Sequence, residues 1–336
     1  MNYNVEYKLS VRLMVYNHEP YIRQAIDGIM SQETNFLVEV VVGDDFSTDN
    51  SLQIIKEYRN TKNIHIKILD RKINDEYYKK RQQLGRLYNF TNILENCSGK
   101  YIALLDGDDY WIDNSKLQRQ VDFLDNNSGY AICFHPVLEL RNGKTSLSSA
   151  DKIVQKNSFT QADLAERSVI HSASVVFRNH LVSEFPLWYY QIAIGDYPFY
   201  MMLTNFGKAK YLEEKASSVY RIQSGFWSSM NKIDRCKKFL DVLTLLAEKF
   251  KNDEAVFKNL NVQHGAYLYD LALMYYNNND LDNYHLNISK AILQAPGYVQ
   301  ERLTNYIREN DMLKNSLSFK LGNNFLKPLR ALKGKR

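Results

Sequence analysis

Hydrophobic and polar residues alternate near the start of the chain and then recur at helical spacing. Leu9, Val11, Leu13 and Val15 share one face of a predicted strand, and the apolar positions within 22–29 follow the period of a helix. The same change repeats, which predicts further strands at 37–42, 64–68 and 101–105 and further helices at 52–58 and 87–94. This β-α-β-α-β-α-β order predicts a parallel sheet with right-handed crossovers.

The pattern then becomes less regular and ends in helices. We predict a helix after 113, strands at 130–137 and 172–177, a loop or small hairpin at 139–160, a helix from 194 to 205 and one short strand within 210–220. From about 232 only helical periodicity is found, including an antiparallel pair across 263–294 that is broken at 277–280. The sequence therefore predicts an α/β domain at 1–230, a helical extension at 231–312 and a tail at 313–336.

Composition adds only general constraints. The chain has 336 residues and a net charge of +5, which is too mild a balance to indicate a nucleic-acid partner. Its three cysteines, Cys97, Cys133 and Cys236, are far apart and predict free thiols in a reducing compartment. No apolar run approaches the length of a membrane span, so a cytoplasmic protein is expected.

The tail at 313–336 carries no acidic residue and has seven basic ones among leucines and phenylalanines. Such a segment is suited to peripheral contact with an anionic membrane, which would place the protein at the inner membrane face. A solvated tail without a partner is the alternative.

Two acidic clusters directly follow predicted strands. Asp44 and Asp45 end the second strand, and Asp106, Asp108 and Asp109 end the fourth. Ligands of open α/β sheets bind at the carboxyl ends of the strands, where these clusters are expected to meet. Acids so close together repel one another unless a cation such as Mg²⁺ or Mn²⁺, which is often shared with substrate phosphates, neutralises them. An Asp-Gly turn with exposed acids is the alternative.

These segments resemble the inverting glycosyltransferases of family 2. The likeness covers about 9–227 and is carried by residues 15–19 (Val-Tyr-Asn-His-Glu), 42–49 (Val-Gly-Asp-Asp-Phe-Ser-Thr-Asp), 99–111 around Asp106-Gly107-Asp108, and 116–118 (Lys-Leu-Gln). It implies the GT-A fold, which is a Rossmann-like, mostly parallel sheet flanked by helices. The C-terminal all-helical region lies outside the resemblance.

The resemblance also implies a donor site. Tyr16 would stack on the nucleotide base, and Asp45 would accept a hydrogen bond from uracil N3–H, as a carboxylate can. Asp106 and Asp108 match the family's DxD motif, so that Asp106 would contact the ribose or the metal and Asp108 would coordinate Mn²⁺ or Mg²⁺ on the diphosphate. Core packing of Tyr16 and a local turn bond of Asp45 are the alternatives.

Asp196 occupies the position of the family's catalytic base. The family usually has glutamate just before it, where this chain has Gly195. A base here would take the proton from the acceptor hydroxyl, and burial would raise its pKa toward the working pH. The alternative is an ordinary helix N-cap.

Four more residues are expected on the acceptor or phosphate side: His171, Arg221, Gln223 and Trp227. Gln223 stands where the family often has a histidine that ligates the metal, which puts a third protein ligand in doubt. Arg221 would pair with phosphate oxygens or form a structural ion pair. His171 and Trp227 would contact the sugar acceptor or serve packing.

The resemblance thus implies a metal-dependent hexosyl- or N-acetylhexosaminyltransferase. It would move a sugar from a nucleotide donor, with a UDP-sugar favoured, to a saccharide or lipid-linked saccharide in surface polysaccharide or glycan synthesis. A sugar-1-phosphate nucleotidyltransferase would need a Gly-rich basic loop after the first strand, which is absent there. A catalytically inactive scaffold that binds nucleotide or saccharide, with helices that recruit a partner, stays open because the base motif is incomplete and Gln223 replaces histidine.

Overall fold

A computed structural model describes residues 6–154, 156–222 and 226–315. Its strands are β1 (Leu9–Val15), β2 (Val38–Asp44), β3 (Ile64–Ile68), β4 (Tyr101–Asp106), β5 (Tyr110–Trp111), β6 (Tyr130–Phe134), β7 (Val137–Arg141), β8 (Lys144–Leu147), β9 (Ser158–Phe159), β10 (Val176–Arg178), β11 (Lys208–Tyr211) and β12 (Ser218–Arg221). Its helices are α1 (Ile22–Met30), α2 (Ser51–Glu57), α3 (Glu76–Leu84), α4 (Leu87–Glu95), α5 (Lys116–Asn126), α6 (Gln161–Glu166), α7 (Asp196–Leu203), α8 (Phe226–Ser229), α9 (Lys232–Lys249), α10 (Glu254–Asn277), α11 (Leu281–Gln294) and α12 (Pro296–Asn315).

β1 is an interior strand of the main sheet, whose strand order is β3-β2-β1-β4-β10-β6-β11-β9. It pairs in parallel with β2 on one side and β4 on the other, as the repeat predicted. Val15 lies opposite Asp44, and Met14 lies opposite Asp106. The two acidic strand ends therefore reach the same edge, separated by β1 and so by about 10 Å, or two strand spacings.

Both faces of β1 are buried. The predicted apolar face packs into a hydrophobic core with α1 and α5. On the other face Ser10 and Arg12 are also buried, at 0% and 1% exposure. Burial of polar side chains on this second face was not predicted, because the alternating pattern indicated only the first.

A second sheet, with the order β5-β12-β7-β8, stands beside the main one. The hairpin β7–β8, with Asn142 and Gly143 at its turn, confirms the expectation of a loop or small hairpin at 139–160. The expectation of one strand in 210–220 was wrong, since β11 joins the main sheet and β12 joins the second. β12 pairs with β5 and so lies next to the segment that follows the DxD acids.

Two local predictions need correction. The polar stretch at 70–86 contains α3, which the sequence pattern did not reveal because its face is almost wholly polar. The predicted strand at 172–177 is shorter, because Ser172–Ser174 form a 3₁₀ turn and β10 begins at Val176. His171 caps that turn instead of lying on a strand.

The helices after residue 232 confirm the predicted all-helical C-terminal region. Contacts divide the chain into one compact unit up to Leu260 and another from Asn261. α9 belongs to the first unit, where Phe239 stacks on Tyr197 of α7 with ring centroids 5.7 Å apart. Within the second unit, Gly265 of α10 lets the helix approach Ala295, which a Cβ at this position would meet at 2.4 Å.

Three further expectations concern the whole chain. All three cysteines are free, as predicted, and all three are buried. Within the described ranges, no helix combines the length and apolar composition that crossing a membrane requires. Of the predicted tail at 313–336, residues 316–336 lie outside the described part.

Candidate active site

The loops after β1 and β2 are joined by hydrogen bonds at the carboxyl edge of the sheet. The amide of Asn17 donates to Ser47 Oγ at 2.9 Å, and the amide of Thr48 donates to Asn17 Oδ1 at 2.8 Å. Asn17 adopts a left-handed backbone conformation with φ 53°, which asparagine tolerates. Tyr16 is held just before this turn with 55% of its surface exposed, so it is not a core residue.

Asp45 follows β2 and is held by two side chains from α3. Both of its carboxylate oxygens accept hydrogen bonds from Arg81 Nε, at 3.1 and 2.9 Å, and Arg81 Nη2 lies 2.8 Å from Oδ2. Tyr77 Oη donates to Oδ1 at 2.8 Å. The sequence prediction missed these partners because it placed no helix here.

Asp106 ends β4 and is paired with Arg12 of β1. Arg12 Nη2 lies 2.8 Å from Asp106 Oδ1, and the Asp106 side chain is 27% exposed. The chain then turns at Gly107, whose amide donates to the Met14 carbonyl at 2.9 Å. The DxD segment is therefore fixed to the end of β1 by one side-chain and one backbone contact.

Gly107 leaves no room for a side chain, which gives a first testable prediction. A Cβ here would lie 2.7 Å from His18 Nδ1 and 2.9 Å from Ile22 Cδ1. We expect Gly107→Ala to displace the His18 ring and the acidic turn, destabilising the fold by about 1–3 kcal/mol and weakening nucleotide binding. Thermal melting and nucleotide titration measure both effects.

Gly129→Ala is the matched control, because no atom lies within 4 Å of a Cβ at that position. It should leave melting and binding unchanged. Equal behaviour of the two alanine variants would contradict the tight packing of the DxD turn.

Asp108 and Asp109 are both buried, and β12 contacts their segment. The Arg221 amide donates to Asp109 Oδ1 at 2.9 Å, and Arg221 Nη1 donates to the Asp108 carbonyl at 2.5 Å. The Arg221 guanidinium also lies over the Tyr110 ring, 4.5 Å from its centroid. These contacts of Arg221 hold the acidic segment, residues 106–109, in place.

The electrostatics of Asp109 show how much negative charge gathers here. Burial raises the pKa of Asp109 well above its usual range, and the charges of Asp108 and Asp106 raise it further. A divalent cation would offset this repulsion, and carboxylate oxygens are its preferred protein ligands. No group of three His, Cys, Asp or Glu side chains in the described ranges is arranged to hold a metal. A cation held by these acids would take the rest of its coordination from donor phosphates and water.

Asp196 is the first residue of α7. Its carboxylate accepts a hydrogen bond from the amide of Tyr197 at 2.8 Å. Burial raises the pKa of Asp196, and the charge of Asp106 raises it further, whereas His171 opposes the shift. The two carboxylates at the ends of β4 and α7 thus act on one another electrostatically, as groups in one site would.

A cation and a histidine accompany Asp196. Burial lowers the pKa of Arg86, against which Asp196 is the leading opposing charge. Burial also lowers the pKa of His171, against the charges of Asp151, Glu139 and Asp196. The His171 ring packs beside Tyr220 at 5.6 Å, and its Nε2 is buried with no hydrogen-bond partner in the described structure.

The structure thus places Tyr16, Asp45, Asp106 and Asp108 at or directly after the ends of neighbouring parallel strands at one edge of the sheet. Asp196, at the start of α7, is linked to them by its electrostatic interaction with Asp106. Arg221 joins them as a support of the acidic segment. Trp227 lies on α8 and is partly exposed, and Gln223 is outside the described residues. Sequence reasoning missed Arg12, Tyr77, Arg81 and Arg86, which surround these acids.

Comparison with known proteins identifies the family of this chain. Residues 10–179 match the pattern of Glycosyl transferase family 2, which is half of the chain. An uncharacterized protein of Mycobacterium tuberculosis is 35% identical over 170 residues, 51% of this chain and 46% of that protein. The putative glycosyltransferase EpsE of Bacillus subtilis is 33% identical over 125 residues, 37% of this chain and 41% of that protein. The chain thus matches less than half the length of these curated relatives.

Solved structures share the fold over nearly the whole chain. The S. aureus TarS structure in complex with UDP-GlcNAc has a TM-score of 0.57 and 20% identity, covering 88% of this chain and 92% of that one. The mannosyltransferase PcManGT from Pyrobaculum calidifontis, in complex with GDP-Man and Mn²⁺, has a TM-score of 0.55 and 13% identity, covering 99% and 89%. At these identities the likeness shows the GT-A fold, and the match of residues 10–179 shows that the chain belongs to glycosyl transferase family 2.

Proposed function

We propose that this protein transfers a sugar from a nucleotide-sugar donor, with UDP favoured, to a hydroxyl of a saccharide or lipid-linked saccharide, with inversion. The observation that carries the proposal is the placement of Asp45, Asp106 and Asp108 at or just after the ends of the two strands that flank β1, with Asp196, whose pKa is raised by burial and by the charge of Asp106, interacting with the same acidic segment. In a fold of this family, such a cluster can supply one carboxylate as the general base and others to hold a cation on the charged donor.

Asp196 is the proposed general base. A carboxylate with a raised pKa binds a proton more strongly, so it removes the proton of an attacking hydroxyl more effectively near neutral pH. The hydroxyl oxygen forms a bond to the anomeric carbon as the bond to the diphosphate breaks. In this single displacement an α-linked donor gives a β-linked product.

Asp106 and Asp108 are proposed to hold the diphosphate end of the donor through Mn²⁺ or Mg²⁺. When bound, such a cation acts as a Lewis acid that offsets the charge gathering on the leaving diphosphate. Arg221 keeps the acidic segment in place through its bonds to Asp108 and Asp109. The backbone contacts of Gly107 and Arg221 set the position of these acids before any donor binds.

The base end of the donor is assigned to Tyr16 and Asp45. Arg81 and Tyr77 make four contacts to the two carboxylate oxygens of Asp45, about as many as a carboxylate accepts, so uracil N3–H would share one of these oxygens or replace one of these donors. TarS, whose curated name is poly(ribitol-phosphate) β-N-acetylglucosaminyltransferase, is 32% identical over 123 residues and supports testing UDP-sugars first. GDP-sugars come second, because PcManGT was solved with GDP-Man.

Tyr16 offers a second testable prediction, because more than half of its surface is exposed. We expect Tyr16→Ala to weaken UDP binding about 10-fold, since stacking of one base on an aromatic ring contributes about 1–3 kcal/mol. Tyr16→Phe keeps the ring and should bind as the wild type does. Weaker binding by Tyr16→Ala at an unchanged melting temperature would show that the ring serves binding. Full affinity in Tyr16→Ala would remove the ring from the base site.

The experiment that tests the proposed function is a release assay. Wild-type protein is incubated with UDP-linked or GDP-linked sugars, Mn²⁺, and saccharide or lipid-linked acceptors, and the free nucleotide is measured. Acceptor-dependent release of UDP or GDP supports glycosyl transfer. Nucleotide binding without release from any donor would contradict it in favour of a binding scaffold.

A further inference from the structure

Arg12 is a charged side chain in β1, an interior strand of the main sheet. It lies on the face of β1 opposite the predicted core face, and only 1% of it is exposed. Its guanidinium lies over the ring of Phe90 of α4, 4.8 Å from the centroid. A buried arginine here is unexpected, because the residues opposite it on the two flanking strands, Val41 and Leu104, are apolar and fully buried.

Among the described residues, Asp106 is the only one whose side chain forms a hydrogen bond with Arg12. Arg12 Nη2 donates to Asp106 Oδ1 at 2.8 Å. Its Nε and Nη1 are buried and have no hydrogen-bond partner in the described structure. Asp106, in contrast, is 27% exposed and reaches the open edge of the sheet.

The burial of the Arg12 guanidinium lowers the free energy of unfolding instead of raising it. A buried guanidinium with unfilled donors bears a desolvation penalty that one ion pair does not fully offset, and an apolar side chain of similar volume often stabilises such a site. Without Arg12, the charge of Asp106 would still be partly hydrated, because 27% of its side chain is exposed. Arg12 is therefore poorly explained as a residue that stabilises the fold.

We propose that Arg12 is a positioning residue of the donor site. By engaging Oδ1, it fixes the rotation of the Asp106 carboxylate, so that Oδ2 is presented in one orientation to the ribose or the diphosphate-bound cation. This inference rests on the proposed function, in which Asp106 contacts the donor. Arg12 itself acts through Asp106 and touches no reacting atom.

Arg12→Met tests the inference, because methionine fills much of the same volume without charge. We expect UDP affinity in the presence of Mn²⁺, measured by calorimetry, to fall about 10-fold. We expect the melting temperature to stay the same or rise, because the penalty of burying the guanidinium is removed.

Arg178→Met is the matched control in the same sheet. Arg178 lies opposite Tyr101, at the other end of β4 from the acidic segment. It donates to the carbonyls of Tyr130 at 2.8 Å and Leu124 at 2.6 Å. Arg178→Met should lower the melting temperature and leave UDP affinity unchanged. Arg12→Met should instead weaken UDP binding without lowering the melting temperature.

A double-mutant cycle with Asp106→Asn decides whether Arg12 acts through Asp106. We expect the double variant to bind UDP no more weakly than Asp106→Asn alone, because the carboxylate that Arg12 orients is already gone. Additive losses, or wild-type affinity in Arg12→Met, would overturn the inference. If wild-type protein itself binds no nucleotide, the proposed function fails first, and the two failures are thereby distinguished.

Discussion

Replacing Asp196 with asparagine is expected to reduce turnover by about 10²–10⁴-fold, which is the usual contribution of a positioned general base. Asparagine keeps the size of the side chain and its oxygen, which can still accept the Tyr197 amide hydrogen bond, but it cannot take a proton. Binding of UDP should be unaffected or slightly stronger, because the neighbouring Asp106 loses a repelling charge. Steady-state release assays and calorimetry measure the two effects separately.

Asp163→Asn is the matched control, since Asp163 also lies in the first turn of a helix, as part of the capping box of α6. If Asp196 served only to begin α7, the two variants would lose stability alike and keep turnover. Unchanged turnover in Asp196→Asn would remove this residue from the role of base.

The pH dependence follows from the direction of the pKa shift. The pKa of Asp196 is raised, chiefly by burial, and only the deprotonated form is a base, so turnover should increase with pH through a value above about 3.9, the ordinary value for aspartate. In Asp196→Asn this acid limb should disappear from the residual rate. A wild-type limb at the ordinary aspartate value would contradict the burial of a functional base.

The raised pKa of Asp196, which favours its action as a base, should lower the stability of the folded protein at neutral pH. Between the unfolded and the raised folded pKa, the folded state binds more protons, so the stability contributed by Asp196 is lost as the pH rises through the folded pKa. Asp196→Asn removes this loss and should raise the melting temperature at neutral pH by roughly 2–4 °C per kcal/mol regained. Higher stability with lower turnover would mark Asp196 as a residue kept for function.

Replacing Asp108 with asparagine is expected to reduce turnover by about 10²–10³-fold and to remove its dependence on Mn²⁺. Asp108 lies beside two further carboxylates, and its charge adds to burial in raising the pKa of neighbouring Asp109. Cations bound at such sites supply several kcal/mol of transition-state stabilisation. Initial rates over a range of Mn²⁺ concentrations, after chelation and readdition of the metal, measure this effect.

Asp122→Asn makes the same change of charge on the exposed surface of α5 and should leave the metal dependence intact. Mn²⁺ activation that survived in Asp108→Asn at wild-type concentrations would show that another group holds the cation.

The first four strands could be predicted from the sequence because two simple periods alternate there. Buried parallel strands are read as apolar runs, and the helices between them place apolar residues at every third or fourth position. Right-handed crossovers then bring Asp45 and Asp106 to one edge without further information. For the same reason the fold class was predictable, and the comparisons confirm it.

The rest depended on contacts that no local pattern encodes. α3 carries a nearly uniform polar sequence, so its helix, and with it Arg81 and Tyr77 on Asp45, gave no periodic signal. Arg12 occupies a strand position where alternation predicts a side chain facing outward, yet a second layer covers that face. The roles assigned to all of the site residues stay predictions: Tyr16, Asp45, Asp106, Asp108, His171, Asp196, Arg221, Gln223 and Trp227.

The most direct test of the account is a calorimetric titration of UDP into wild-type protein with and without Mn²⁺. Binding that requires Mn²⁺ and is lost in Asp108→Asn is the predicted result, because the cation would join the acids at the end of β4 to the diphosphate. Equal binding with and without metal would contradict the role of the DxD acids. Absence of binding in both conditions, for UDP and GDP alike, would contradict the nucleotide-sugar site itself.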